Sequence, residues 1–273
     1  MGRINNPWSQ GLLSLSLGLS LTLSFAPFNY PITFLSLCVF LVLLLRTSMP
    51  LRISFLFGLG WFGAGISWVH VSIAQFGGVP LIVSILMMLV LVSYLALFVM
   101  GFGKFVHWIQ YRFGLLAFIA TAPIAWSAME YFRSFILTGF PWLSLGYSQL
   151  HTPFAYLAPV IGETGLTTVM LMLNSCVAVI IHSRIQSMLH QTVSQPSVTR
   201  FAYGGIVAIL VLGSSAVMYF KPIDTGAQPK TFSVGLVQGN IEQSMRWLPE
   251  LDRPIMDKYL SMSQGLWHND LVI

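Results

Sequence analysis

An uninterrupted apolar segment from Pro80 to Gly101 constrains the fold of this chain more than any other feature of its sequence. It contains no charged side chain, and its length is close to the roughly 20 residues that a helix needs to cross a bilayer. Lipid cannot satisfy backbone hydrogen bonds, so an isolated segment of this kind must form them internally, as a helix does. The sequence therefore predicts a membrane-spanning helix here.

Similar apolar segments recur along the chain, and the composition agrees with a membrane protein. Hydrophobic residues make up 56% and charged residues 8% of the 273 residues, against roughly 25% charged in soluble domains. We expect seven spans, at about 11–25, 31–45, 53–73, 80–101, 115–135, 154–182 and 201–220. The predicted fold class is a polytopic α-helical membrane domain over residues 1–220.

The first segment, about Gly11 to Phe25, alternates Leu and Ser and superficially resembles a strand. An isolated strand cannot satisfy its backbone in lipid, so we predict a helix. The residues that follow, 26–28, lack a small-residue cleavage pattern, and we therefore expect a retained helix rather than a signal peptide. In the third span, Gly60 and Ala64 are small residues four apart, a spacing that predicts close helix approach.

Basic residues are distributed unevenly between the two predicted sides of the membrane. With a cytoplasmic N-terminus, one side holds Arg3, Arg46, Arg52, Lys104, Arg112, Arg184 and Arg200. In the opposite loops, only Arg133 is basic. This bias predicts an inner-membrane protein with residues after about 221 in the periplasm. The net charge of +5 then reflects topology, and no nucleic-acid partner is expected.

The sequence changes character after residue 220, where acidic and basic residues become as frequent as in soluble domains. Residues 221–230 contain Pro and Gly and predict a linker. Residues 231–241 predict a strand closed by a Gly-Asn turn, 251–267 predict a helix, and 270–273 predict the beginning of a second strand. So short a segment cannot bury a proper core, so we expect the chain to stop inside a domain.

One segment, residues 137–149 (LTGFPWLSLGYSQ), is too apolar for a solvated loop and too interrupted by Gly and Pro for a span. Its Trp142 and Tyr147 are of the kind that favours the boundary between lipid and water. Irregular backbone at membrane depth needs protein around it. We therefore interpret this segment, called the rim segment below, as the rim of a cavity at one membrane face; a simple interfacial anchor is the alternative.

Four segments, taken in order, resemble a known family. They are FGLGWFGAGISWVHVSIAQFGG (57–78), LTGFPWLSLGYSQ (137–149), LAPVIGETGL (157–166) and VGLVQGNIEQSMRW (234–247). Their order and spacing resemble the bacterial apolipoprotein N-acyltransferases, membrane enzymes of the nitrilase superfamily. The resemblance extends from about Leu12 to Ile273.

This resemblance implies a helical membrane domain followed by a periplasmic α-β-β-α nitrilase-like domain, of which residues 231–273 would be the truncated start. It also implies transfer of an acyl chain from a phospholipid, such as phosphatidylethanolamine, to the N-terminal diacylglyceryl-cysteine of an apolipoprotein. That reaction is the last step of bacterial lipoprotein maturation. The implied chemistry uses a Cys thioester, a Glu base and a Lys near the oxyanion, without a cofactor.

The chain departs from the family pattern at its catalytic residues. No residue in it matches the family's Glu, Lys or Cys, so we expect no catalytic residue here and no activity from residues 1–273 alone. Cys38 and Cys176 lie in predicted spans, where a thiolate is costly, and we expect them to be core residues without a disulfide. No cluster of His, Cys, Asp or Glu has metal-ligand spacing.

Four residues are candidate substrate contacts. Trp142 matches a family aromatic near the lipid substrate, Tyr147 shares its segment, and Trp247 matches a Trp near the family's active site; anchoring or local packing are the alternatives. Glu163 has no basic neighbour in sequence and is either functional or a helix cap. These are the site residues that we predict.

Two further charged residues, Glu130 and Arg133, lie three apart on one predicted helical face, and we expect them to form a structural pair. Together with Glu163 and the interrupted rim segment, Glu130 would also suit a transport path. A transporter or channel with an incidental periplasmic tail is therefore the alternative function, although the sequence contains no internal repeat.

Overall fold

The computed structural model describes residues 6–190, 196–219, 231–246 and 248–273. The chain divides into two compact units, Met1–Lys221 and Pro222–Ile273. The helices of the first unit are α1 (Pro7–Leu21), α2 (Thr33–Arg46), α3 (Pro50–Gly65), α4 (Val69–Gly77), α5 (Leu81–Phe113), α6 (Leu115–Arg133), α7 (Ala158–His190) and α8 (Pro196–Tyr219). The second unit contains β1 (Val234–Gly235), α9 (Asp252–Ser263) and β2 (Leu271–Val272).

The Leu-Ser alternation near the N-terminus folds as the helix α1, as predicted. Its buried residues are Gly11, Ser14, Gly18 and Leu21, which are three or four apart and therefore share one helical face. The Ser14 hydroxyl donates to the carbonyl oxygen of Ile53 on α3 at 2.6 Å, so this buried polar side chain is satisfied. The helical repeat of 3.6 residues per turn thus determines which serine of α1 is buried.

Helix α3 packs against α1 on one side and α5 on another, and glycines set both distances. A Cβ on Gly18 would lie 2.0 Å from the carbonyl oxygen of Phe57, and one on Gly60 would lie 2.2 Å from that of Leu15. On the other side, a Cβ on Gly58 would lie 2.8 Å from the Cα of Ala96. The close approach predicted at Gly60 is therefore confirmed, because no larger side chain fits there.

Aromatic residues fill the centre of the helical unit. Trp61 is fully buried and stacks on Trp126 of α6 with ring centroids 5.6 Å apart. Phe40 of α2 stacks on Phe57 of α3 at 4.0 Å. Rings at these separations add attraction beyond the area that they bury. The two cysteines are buried, as predicted for packing residues, and both are free thiols.

Three helical segments within the described residues are long and apolar enough to cross a membrane: α5, α6, and α7 with the short 3-10 helix before it. A fourth results if α3 and α4, which meet at an angle of 53°, form one broken span. Helix α2 and the described apolar part of α8 are shorter. A helical membrane domain is therefore confirmed, while the expected number of about seven spans stays a prediction.

The second unit contains a parallel strand pair with α9 between its strands in sequence. Val234 pairs with Leu271, and Gly235 pairs with Val272. The strand predicted over residues 231–241 is much shorter than expected, since only two of its residues pair as a strand. Asn240 has a positive φ of 48°, as the predicted turn requires. The assignment of this unit to a nitrilase-like domain stays a prediction.

Candidate functional site

The rim segment is an irregular stretch between α6 and α7. Leu137, Thr138 and Leu143 have positive φ angles of 52°, 70° and 62°, although none of them is glycine. Each such residue costs roughly 1–3 kcal/mol and persists only where surrounding contacts enforce it. The segment must therefore be held by specific contacts with its neighbours.

Glu130 of α6 holds the second half of the rim segment. Its side chain is 5% exposed and accepts hydrogen bonds from the Trp126 indole N–H (2.9 Å) and from the backbone N–H of Leu145 (2.8 Å). The Thr167 hydroxyl of α7 donates to its other oxygen at 3.1 Å. Thr167 accepts in turn from the backbone N–H of Gly146 at 2.9 Å. One carboxyl group thus joins α6, the rim segment and α7.

Arg133, one helical turn further along α6, holds the first half. Its side chain is 1% exposed, and Nη1 donates to the carbonyl oxygens of Phe140 and Trp142, each at 2.6 Å. The backbone N–H of Phe140 donates back to the carbonyl oxygen of Arg133 at 2.9 Å. The guanidinium lies 5.3 Å from the centre of the Phe62 ring, within cation–π range. Helix α6 therefore holds the rim segment through two side chains, Glu130 and Arg133.

The predicted structural pair between Glu130 and Arg133 is wrong. Among the described residues the salt bridge is Arg253–Asp257, at 3.5 Å in the second unit, and Glu130 and Arg133 do not form one. Spacing on one helical face permitted pairing, but the chain folds back after α6 and offers each side chain nearer backbone partners. The two side chains therefore hydrogen-bond to the rim segment and are not joined by a direct salt bridge.

Trp142 and Tyr147 project from this fixed segment. Their side chains are 57% and 52% exposed, respectively. The Trp142 ring meets Trp68, which lies between α3 and α4, at 5.9 Å, and Phe140 at 4.8 Å, both edge to face. The bend between α3 and α4 therefore contributes a second exposed tryptophan to the rim, which sequence reasoning missed.

Glu163 lies beside the same segment, directly after a break in α7 at Gly162, where φ is 66°. Its backbone is close enough to Gly146 that a Cβ there would lie 2.2 Å from the Glu163 carbonyl oxygen. Oε2 accepts from the Thr164 hydroxyl at 3.3 Å, while the buried Oε1 has no hydrogen-bond partner among the described residues. Three of the four predicted contacts thus gather around the rim, and Trp247 lies outside the described residues.

The side chains around the rim segment are suited to binding a ligand. Exposed aromatic faces and an unpaired carboxyl oxygen can recognise a ligand with an apolar part and a hydrogen-bond donor. Within the part of the chain that the structure describes, no group of three or more His, Cys, Asp or Glu residues could hold a metal ion. No signal in the sequence pointed to Trp126 or Thr167, whose roles depend on contacts between separate helices.

The fold and this site define a class: a helical membrane protein with a rigidly held aromatic rim. A family model described as the apolipoprotein N-acyltransferase N-terminal domain matches residues 17–176, which is more than half of the chain and includes the rim segment. The chain belongs to this family.

Curated relatives named apolipoprotein N-acyltransferase are similar to nearly all of the chain. The relative from Photobacterium profundum is 34% identical over 265 residues, which cover 96% of this chain and 48% of the relative. The Vibrio cholerae relative is 35% identical over 96% of this chain and 49% of its own length. The Coxiella burnetii relative is 34% identical over 96% of this chain and 52% of its own length. The chain spans about half the length of these relatives.

Proposed function

We propose that this chain supplies the membrane part of an apolipoprotein N-acyltransferase. In this proposal the enzyme moves an acyl chain from a phospholipid, such as phosphatidylethanolamine, to the N-terminal amino group of a diacylglyceryl-cysteine. The observation that carries the proposal is the family match, whose range includes the rim segment with its two anchors, Glu130 and Arg133. The names of the relatives supply the reaction class.

The rim is the proposed place of substrate contact. Trp142 and Tyr147 would lie against the lipid, because exposed aromatic rings with polar tips suit the membrane boundary. Oε1 of Glu163 is buried and has no hydrogen-bond partner among the described residues; it would accept a hydrogen bond from an amino group of the acyl donor or the acyl acceptor once the carboxyl group rotates toward the substrate. Trp247, which lies outside the described residues, stays a predicted substrate contact on the strength of the family pattern alone.

Neither thiol of this chain serves as the nucleophile in this proposal. Cys38 and Cys176 are buried in α2 and α7, and a nucleophilic thiolate needs an accessible, polar setting. We therefore assign the thioester chemistry to the Cys, Glu and Lys of the family pattern, none of which matches a residue here. Residues 1–273 expressed alone should form no acyl adduct.

The proposed topology has about seven spans, a cytoplasmic N-terminus and a periplasmic second unit that begins a nitrilase-like domain. Its support is the seven-to-one distribution of basic residues along the sequence. In addition, Arg133 is buried against the rim segment and is not a free surface charge. A reporter active only in the periplasm should work when fused after Asp224 and stay silent after Gln191; the reverse pattern would overturn the orientation.

A chimera tests the function directly. Residues 1–273 replace the matching half of the Vibrio cholerae relative, and the product is expressed in cells depleted of their own acyltransferase. We expect mass spectrometry to detect N-acylated lipoprotein from the chimera and none from residues 1–273 alone. A second chimera, built on the Coxiella burnetii relative, controls for inactivity that is caused only by the junction between the two halves. If both insert at normal levels and neither acylates lipoprotein, the proposed function is wrong.

A further inference from the structure

A cavity of about 430 Å³ is lined in part by Gln149, the last residue of the rim segment. Two helices contribute apolar side chains to its wall, Leu173 and Val177 on α7 and Ile206 and Leu210 on α8. Its volume falls within the roughly 300–1,000 Å³ typical of small-molecule sites. No charged residue lines it among the described residues, which disfavours an ionic ligand group inside it.

Three of the residues that line the cavity are polar. Gln149, the last residue of the rim segment, and Thr152 line it, but they are engaged with their neighbours: Gln149 Nε2 donates to Ser148 at 2.8 Å, and the Thr152 hydroxyl donates to the Gln149 backbone carbonyl at 2.9 Å. Thr33 differs. It also lines the cavity and is 2% exposed, yet its Oγ1 has no hydrogen-bond partner among the described residues.

Thr33 is also the first residue of α2, a helix of 14 residues that begins without a side-chain cap. The first N–H groups of a helix have no partner within the helix and favour an acceptor that lies just beyond the helix end. A buried hydroxyl without a partner costs free energy unless a ligand or water satisfies it. Thr33 and the start of α2 therefore offer hydrogen-bond donors to a cavity whose lining is mostly apolar.

We propose that this cavity binds one fatty-acyl chain of a neutral ester, with the hydrocarbon between α7 and α8 and the ester carbonyl accepting a hydrogen bond from Thr33. The ester is a better fit than a free fatty acid, since none of the described residues that line the cavity is basic and could balance a carboxylate. The acyl ester can come from a membrane phospholipid or from the diacylglyceryl group of a lipoprotein. Binding of the ester requires no acyl transfer, so this proposal can be tested independently of the proposed reaction.

Photolabelling of the purified chain tests the site. The probe is a phosphatidylethanolamine with a diazirine at the end of one acyl chain, added at equimolar amount in detergent. We expect labels to concentrate on residues 170–177 of α7. Competition by unlabelled phosphatidylethanolamine would identify the phospholipid as the source, and competition by an S-diacylglyceryl-cysteine peptide alone would identify the lipoprotein; both results support an acyl-ester site.

A matched pair of variants separates the cavity from the outer lipid-facing surface. Val177→Trp fills the cavity and should lower labelling of residues 170–177 at least fivefold. Val207→Trp makes the same change on α8 at a position that is 59% exposed and does not line the cavity, and it should leave labelling unchanged. Labels spread evenly over the exposed helix faces, or equal labelling in both variants, would overturn the proposal.

Thr33→Val tests the hydroxyl without adding bulk and guards against misfolding of the Trp variant. Loss of one hydrogen bond should weaken retention of the ester probe about fivefold. An ether-linked analogue of the probe lacks the carbonyl and should bind the wild type and Thr33→Val equally. An equal loss for both probes would show that Thr33 does not bind the ester carbonyl and would contradict this part of the proposal.

Discussion

Two carboxyl groups of this protein make nearly the same hydrogen bonds in very different surroundings. In the helical unit, Glu130 accepts from the backbone N–H of Leu145 and from a threonine hydroxyl. In the second unit, Asp270 accepts from the backbone N–H and the hydroxyl of Ser233, each at 2.9 Å. Glu130 is 5% exposed, whereas Asp270 is exposed to solvent.

The difference shows that burial determines how much a given hydrogen bond contributes to the stability of the fold. At Asp270 water replaces any hydrogen bond that is lost, so the contact only favours the pairing of β1 with β2. Glu130 is buried, so removal of the carboxyl group leaves its donors unsatisfied at roughly 1–3 kcal/mol each. The strained rim segment can therefore depend on Glu130 and Arg133, while no comparable structure depends on Asp270.

The largest expected effect comes from Glu130→Leu. This change leaves the Trp126 indole, the Leu145 N–H and the Thr167 hydroxyl without their acceptor, and we expect a loss of about 3–5 kcal/mol in unfolding free energy. Thermal unfolding of the purified chain measures the loss. Hydrogen exchange should also become fast at the amides of Leu145 and Gly146.

Glu130→Gln is the matched control for this prediction. Its amide oxygen can still accept from the Trp126 indole and the Leu145 N–H, so about 1 kcal/mol should be lost. Equal unfolding temperatures for Glu130→Leu and the wild type would remove the basis for contrasting buried and exposed carboxyl groups.

Arg133→Met should have the next largest effect, about 2–3 kcal/mol. It removes both hydrogen bonds to the carbonyl oxygens of Phe140 and Trp142, but it also relieves the cost of burying a charge, so the loss should be smaller than for Glu130→Leu. Exchange should increase at residues 137–143 before it does at 145–146. A variant more stable than the wild type would show that burial of Arg133 costs more than its two bonds contribute.

Trp142→Ala should change stability by less than about 1 kcal/mol, because the ring is more than half exposed. In the chimera with the Vibrio cholerae relative, lipid use should fall about tenfold, since loss of a large ring removes apolar contact with the lipid. Slow formation of the acyl-enzyme measures this effect. Trp108→Ala removes another exposed tryptophan, 52% exposed and outside the rim, and should leave the rate unchanged. Wild-type kinetics with reduced stability would make Trp142 an anchor only.

The smallest expected effect is at Asp270. Hydrogen bonds from the Ser233 backbone and hydroxyl lower the pKa of Asp270, so its ionised form favours the folded second unit. This contribution is present above the usual Asp pKa of about 3.9 and is lost as the pH falls through the lowered value. Asp270→Asn should lower the protection of the Ser233 amide against hydrogen exchange at neutral pH and remove the acid dependence of that protection factor. Asp257→Asn should preserve both, and unchanged exchange in Asp270→Asn would contradict the assigned contact.

The apolar segments alone determined that this is a helical membrane protein, because lipid leaves the backbone no other partner than itself. They also determined α1, whose Leu-Ser alternation is compatible with a strand in water but not with an isolated segment in a bilayer. The rim segment was recognisable as irregular from Gly139, Pro141 and Gly146, and its aromatic residues indicated an exposed position. These conclusions depend on local chemistry, which the sequence contains in full.

Only the tertiary structure decided the partners of the charged residues. Glu130 and Arg133 share a helical face, and on that face pairing with each other was the nearest available arrangement. The returning chain supplied the Leu145 N–H and the carbonyl oxygens of Phe140 and Trp142 instead. The unpartnered hydroxyl of Thr33 likewise has no signature in sequence. Partners separated along the chain become neighbours only through packing, and a spacing rule within one helix cannot anticipate them.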